Sequence, residues 1–149
     1  PHSMQLFVLN ADPTVGADVH FLNTGVPHAV AFLDKLEGLD ISRLGAYLRY
    51  HEAFSPKGTN ANFARILSPG HIAIRTYERG VEDETLACGT GITACALLHA
   101  VLTDAPSPIQ VDVAGGDTLK VGFQRTGDRF TDVTLTGPAD LVFTGDIQI

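Results

Sequence analysis

The most reactive side chain in this sequence stands at a junction. In Glu84-Thr85-Leu86-Ala87-Cys88-Gly89-Thr90-Gly91, a thiol comes just before two closely spaced glycines and a long apolar run. If that run is a helix, its first four amides have no intrahelical acceptor, and together they carry roughly half a positive charge. Thiols in such a position are stabilised as thiolates and titrate anywhere from about 3.5 to 7.5. Gly89 and Gly91 keep side chains away from the amides, and Thr90 adds a hydroxyl. The same amides can hold a carboxylate. A base and an anion site a few ångströms apart suit one reaction: removal of a proton from the carbon beside a carboxylate, with the growing charge held by fixed dipoles. The residues alone leave two other readings open. Buried cysteines are commonly inert fillers, and a thiol hydrolase with a histidine base would start from the same nucleophile.

Cys95 reads as filler, mid-helix among Ala94, Ala96 and Leu97. It cannot pair with Cys88: seven helical positions at about 1.5 Å each separate the two Cα atoms by roughly 10 Å, beyond the reach of a disulfide. Two cysteines are too few for a disulfide framework. No C-x-x-C or H-x-x-x-H lies near them, so this is not a zinc pattern. Reduced thiols are the simplest reading.

The elements that must position Cys88 follow from periodicity. The thiol-bearing helix is expected from Gly89 or Thr90 to about Thr103, ended by Asp104 and the prolines at 106 and 108. From Ile92 to Leu102 only Thr93 and His99 are polar, so this helix must be enclosed by protein. A second helix is capped by Asp40 and covers ISRLGAYLRYH, with Ile41, Leu44 and Leu48 on one stripe; Gly45 weakens it by about 1 kcal/mol against alanine. Strands are read in DVHFLN, HAVAFL, HIAIRTYE, PIQVDV, DTLKVGFQ, TDVTLTG and DLVFTGDI. In HIAIRTYE, Ile72, Ile74 and Thr76 share one face, while His71, Ala73, Arg75 and Tyr77 share the other. Gly115-Gly116-Asp117 and Gly127-Asp128 read as hairpin turns. The economical arrangement is an α+β domain in which a curved, mostly antiparallel, barrel-like sheet wraps around a central apolar helix.

The chain has 149 residues, 44% of them hydrophobic and 18% charged, enough for one domain with a real core. A net charge of −7 disfavours nucleic acid and anionic membranes as partners. No apolar run approaches the roughly 20 residues of a membrane helix. Pro1-His2-Ser3-Met4 reads as a vector remnant before a start methionine and is set aside. Gln5 to Leu9 reads as a short apolar strand without a basic leader or cleavage pattern, which points to the cytoplasm.

The residues quoted so far resemble those of diaminopimelate epimerases. Tyr77 to Gly91, YERGVEDETLACGTG, is similar to that family's second cysteine signature. NTGVPHAV (Asn23 to Val30) resembles its Gly-x-Pro-His segment, KGTNANF (Lys57 to Phe63) its asparagine-bearing segment before a strand, and TGPADLVFTGDI its closing segment. The resemblance covers essentially all of Gln5 to Ile149, but only half of such an enzyme. It implies two similar domains with the substrate between them, each supplying one cysteine, one to remove the α-proton and the other to donate a proton to the opposite face. No pyridoxal phosphate or metal is implied. This chain resembles the C-terminal half, and the N-terminal domain is its implied partner.

By the same resemblance, Cys88 is an acid/base and Gly89 and Thr90 bind the α-carboxylate. Glu78 and Arg79 hold the ammonium and carboxylate, arginine by a two-point contact. Asn60 bonds the distal end of diaminopimelate, and His28 lines the reacting carbon. Read without it, Glu78 and Arg79 are an ordinary surface ion pair, Asn60 a turn residue, and His28 a packed neighbour of Pro27. Two departures stand out. Val26 replaces the asparagine of many relatives, and the loop from Gly80 to Glu84 is one residue longer, which leaves room for another amino-acid substrate. The isolated chain is expected to bind a carboxylate without epimerising it. A homodimer that brings two Cys88 thiols face to face is the alternative for restoring a second base. The last strand, 141–149, is expected to complete the other domain's sheet. Without that domain its apolar Leu141, Val142, Phe143 and Ile147 should be rearranged, paired with another chain, or mobile.

Overall fold

The computed structural model describes residues 5–7 and 17–149; the reading of residues 1–4 and the end of the first apolar segment, Val8 and Leu9, lie outside them. The elements run β1 (Gln5–Phe7), β2 (Val19–Asn23), β3 (Pro27–Phe32), α1 (Ile41–Arg49), a short 3-10 turn (Glu52–Phe54), β4 (Asn60–Ser68), β5 (His71–Glu78), β6 (Asp83–Thr85), α2 (Gly89–Thr103), β7 (Ile109–Asp112), β8 (Thr118–Thr126) and β9 (Arg129–Thr136). The strands form one curled sheet in the order β1-β2-β3-β4-β5-β7-β8-β9. β3–β4 and β5–β7 pair in parallel, and the other pairs are antiparallel. The expected α+β architecture is present. One edge of β5 is forked: β7 pairs along His71–Ala73 and β6 along Thr76–Glu78. β6 thus leaves the sheet three residues before α2 and delivers the chain to Cys88.

The concave face of the sheet encloses α2. Gly91, Ile92 and every residue from Ala94 to Ala100 are buried, packed on Val30, Ala64, Ile72, Ile74, Val111 and Val121. Each fully buried Ile or Leu in such a contact contributes about 1.5–3 kcal/mol, so the helix is held by its surroundings rather than by an amphipathic stripe. Asp104 adopts a left-handed conformation (φ 56°) at its C-cap, where the sequence marked its end.

The convex face carries α1, whose Ile41, Leu44 and Leu48 pack on Ala29, Ala31, Phe63 and Tyr77. Asp40 caps it by accepting from the Arg43 N–H at 3.1 Å. Gly45 has a structural reason: a Cβ there would run into the Cβ and ring root of Tyr77. The loop that follows β5 is pinned by Glu82, in the left-handed region at φ 61°, whose carboxylate accepts from Arg49, Tyr50, Tyr77 and the Gly80 N–H.

Three features differ from the sequence reading. β4 is a full strand rather than a lead-in to one, and β6 is too short to show a period. Residues 137–149 form no strand, and Leu141, Val142, Phe143 and Ile147 are 82–87% exposed. The apolar residues of DLVFTGDI, read as a strand, pair with no strand of this sheet, so their alternation forms no ladder here.

Candidate functional site

Cys88 is the N-cap of α2, with extended backbone (φ −134°, ψ 108°) and no side-chain capping bond. The first intrahelical bond runs from the Ile92 N–H to the Cys88 carbonyl at 2.8 Å, so the amides of Gly89, Thr90 and Gly91 precede the ladder and remain available to an anion. Cys88 is half-buried and Cys95 fully buried, and neither is in a disulfide. Burial pushes the Cys95 thiol up, which keeps it protonated and inert.

A chain of side chains stands behind the sulfur. Thr90 Oγ1 lies 3.5 Å from Cys88 Sγ and 2.9 Å from His28 Nε2. His28 Nδ1 lies 3.1 Å from Asn62 Nδ2, and Asn62 Oδ1 accepts from Thr76 Oγ1 at 3.0 Å. The sheet sets this alignment: in the parallel β3–β4 register Val30 faces Asn62, and in β4–β5 Asn62 faces Thr76. The three side chains therefore share the concave face under the start of α2. Burial first, and the positive charge of Arg79 second, push the His28 ring down to about 4, so it is neutral near pH 7. Thr24 Oγ1 donates to the Thr90 carbonyl at 2.9 Å, tying the turn before β3 to the helix.

The glycines divide their work. Gly89 is exposed, and a Cβ there would lie 3.2 Å from Leu135 Cδ2. Gly91 is buried, and a Cβ there would lie 2.6 Å from Asn62 Oδ1 and 3.3 Å from the His28 ring. Its missing side chain makes room for the His28–Asn62 pair, not for a ligand.

Asn60 is buried and knots two strand ends: its Nδ2 donates to the Pro27 carbonyl at 3.0 Å and its Oδ1 accepts from the Arg79 N–H at 2.8 Å. Arg79 Nη1 donates to the Lys57 carbonyl at 3.0 Å. Glu78 ends β5 on the face of Thr76, and no Glu78–Arg79 ion pair forms among the described residues. The surface-pair reading of these two therefore fails, because neighbours at a strand end point to opposite faces. Arg79, Val26, Asn23 and Lys57 line a cleft of about 510 Å³ beside the site; Cys88 is not part of its lining. Among the described residues, no cluster of His, Cys, Asp and Glu could hold a metal ion, and no helix is long and apolar enough to cross a membrane. Cys88, Thr90 and His28 are brought together. Asn62 and Thr76 were not singled out from the sequence, although an asparagine and a threonine on the inward face of a buried strand pair are the signal that finds them.

The family model of diaminopimelate epimerase matches residues 20–142. The diaminopimelate epimerase of Chlorobaculum tepidum is 45% identical over 131 residues, covering 87% of this chain and 50% of that protein. That of Aquifex aeolicus is 44% identical, covering 86% of this chain and 45% of that protein. The chain thus spans about half the length of the curated relatives it matches. Among solved structures, a probable proline racemase from Agrobacterium radiobacter K84 superposes with a TM-score of 0.64 at 19% identity, over 92% of this chain and 48% of that one. A hydroxyproline epimerase from Agrobacterium vitis superposes with a TM-score of 0.63 at 20% identity, over 92% and 47%. Both share the fold.

Proposed function

The chain belongs to the diaminopimelate epimerase family, and on that premise we propose that it forms the C-terminal half of an enzyme that interconverts LL- and meso-diaminopimelate in cytoplasmic lysine and peptidoglycan synthesis. The observation that carries this reading is the half-buried Cys88 thiol at the open N-terminus of α2, backed by Thr90 and His28. The substrate α-carboxylate sits on the Gly89 and Thr90 amides. The Cys88 thiolate takes the α-proton, forming S–H as the Cα–H bond breaks, and the charge that spreads into the carboxylate is held by the helix dipole. A thiol from an N-terminal partner domain returns a proton to the other face. Glu78 meets the ammonium group, Arg79 a carboxylate and Asn60 the distal end. The chemistry needs no cofactor, since the amide cradle supplies the anion stabilisation.

Alone, the chain offers one base to one face, so it binds a carboxylate but does not invert the carbon. A homodimer would place a second Cys88 opposite the first, at the cost of the asymmetric contacts that recognise the substrate. Residues 141–149, exposed and not a strand here, would pair with the partner domain's sheet and complete it. A second reading keeps the chemistry and changes the substrate: Val26 lines the cleft beside Arg79 and cannot make the hydrogen bonds of an asparagine. The chain joined to its N-terminal half should convert LL-diaminopimelate to the meso form, followed by chiral chromatography. Turnover of another amino acid in a panel, with none of diaminopimelate, would refute the first reading in favour of the second.

A further inference from the structure

His28 and Asn62 are fully buried and Thr76 nearly so, so their polar atoms must be satisfied from within. The Ala29 carbonyl can only accept. The Asn62 atom facing it at 3.1 Å is therefore the amide nitrogen, and the amide oxygen takes the Thr76 hydroxyl proton on the other side. The second amide hydrogen points at His28 Nδ1. A proton on Nδ1 would face that hydrogen head-on, so Nδ1 is the bare nitrogen and a neutral ring carries its hydrogen on Nε2. From there it is donated to Thr90 Oγ1 at 2.9 Å. The Thr90 hydroxyl, its lone pair engaged by the ring, keeps its own proton for Cys88 Sγ at 3.5 Å.

We propose that Asn62, braced by Thr76, is a positioning residue for the reacting thiol: it fixes His28 as the Nε2–H tautomer, which turns the Thr90 hydroxyl toward the sulfur as a hydrogen-bond donor. No proton travels the length of the chain in a turnover. The relay acts by orientation, meeting the thiolate with a donor, and the proton taken from the substrate stays on sulfur. The importance of this for turnover rests on the proposed role of Cys88 as the base, but the tautomer and its effect on the sulfur do not.

Nitrogen-15 spectra of the histidine-labelled chain at neutral pH test the first link without any variant: the His28 proton is expected on Nε2, and a proton on Nδ1 overturns the proposal. Asn62→Asp keeps the shape but can only accept, so it should draw the proton to Nδ1. The bare Nε2 then takes the Thr90 proton. Alkylation of Cys88 by iodoacetamide at pH 7, read by mass spectrometry, should slow about tenfold, the weight of one charge-assisted hydrogen bond. In a Thr90→Val background the same substitution should change the rate little. An equal loss there would mean that the new carboxylate acts on the sulfur directly, and would overturn the relay. If both results hold but the chain joined to its N-terminal half exchanges no substrate proton, the epimerase reading falls and the relay stands.

Discussion

Replacing Gly91 by alanine sets two effects of known size against each other. Gly91 is an ordinary helical residue in the first turn of α2, so alanine should stabilise the helix by about 0.8–1 kcal/mol. The new Cβ, however, would sit 2.6 Å from Asn62 Oδ1, where ordinary contact begins at 3.4 Å. Asn62 cannot step aside freely, because its amide is held on three sides by Ala29, His28 and Thr76. Retreating by most of an ångström breaks at least one of these buried bonds, at about 1–3 kcal/mol. The loss wins: Gly91→Ala should lower stability by about 1 kcal/mol, measured by urea denaturation of wild type and variant with equal m-values. It should also disturb the His28 tautomer, seen in the same nitrogen-15 spectra. A variant more stable than wild type by about 1 kcal/mol, with the histidine signal unchanged, would refute the claim that this glycine exists to seat the His28–Asn62 pair.

Gly45→Ala meets the rigid root of Tyr77 rather than a movable side-chain end; the same denaturation should show a loss of about 2 kcal/mol, since overpacking at about 1–3 kcal/mol has no flexible partner to absorb it. Arg75 makes a two-point contact with Glu84, both bonds 2.7 Å, and donates to the Leu36 and Leu39 carbonyls. Arg75→Lys should therefore cost about 1–2 kcal/mol by loss of the planar fork, read as a lowered melting temperature. Acid should destabilise the fold through His28. Its folded pKa of about 4 lies below the ordinary 6.5, so the unfolded state binds the extra proton in between. The stability from keeping the ring neutral is full above pH 6.5 and falls by about 3 kcal/mol as pH drops to 4. Burial lowers His20 and His99 in the same sense. A His28→Asn variant should flatten part of the slope between pH 6.5 and 4, and an unchanged slope would count against the buried neutral ring.

The parts of the fold legible in the sequence are those with one dry face. HIAIRTYE alternates because Ile72 and Ile74 meet α2 while Arg75 reaches the other side to Glu84. α2 was legible for the opposite reason, being apolar all round and ending at Asp104. β4 was not, because both of its faces are covered: Ala61, Asn62, Phe63 and Ala64 are all buried, and a strand between two layers shows no alternation. Missing β4 as a strand also hid Asn62, whose inward direction follows only once the strand is known. α1 looked weak because of Gly45, whose cost to the helix is offset by the close approach of Tyr77. At the site, Cys88 and Thr90 could be named from the helix mouth and His28 from a resemblance, but the order of bonds linking them depends on strand register. That is set between β3, β4 and β5 and is written in no local motif.

The central claim is that the Cys88 sulfur carries the substrate proton. Joined to its N-terminal half and incubated with LL-diaminopimelate in deuterium oxide, the chain should incorporate deuterium at the α-carbon. Cys88→Ala should lower that rate by about a thousandfold, the usual weight of a positioned acid/base. Exchange that survives the substitution at the wild-type rate would contradict the account.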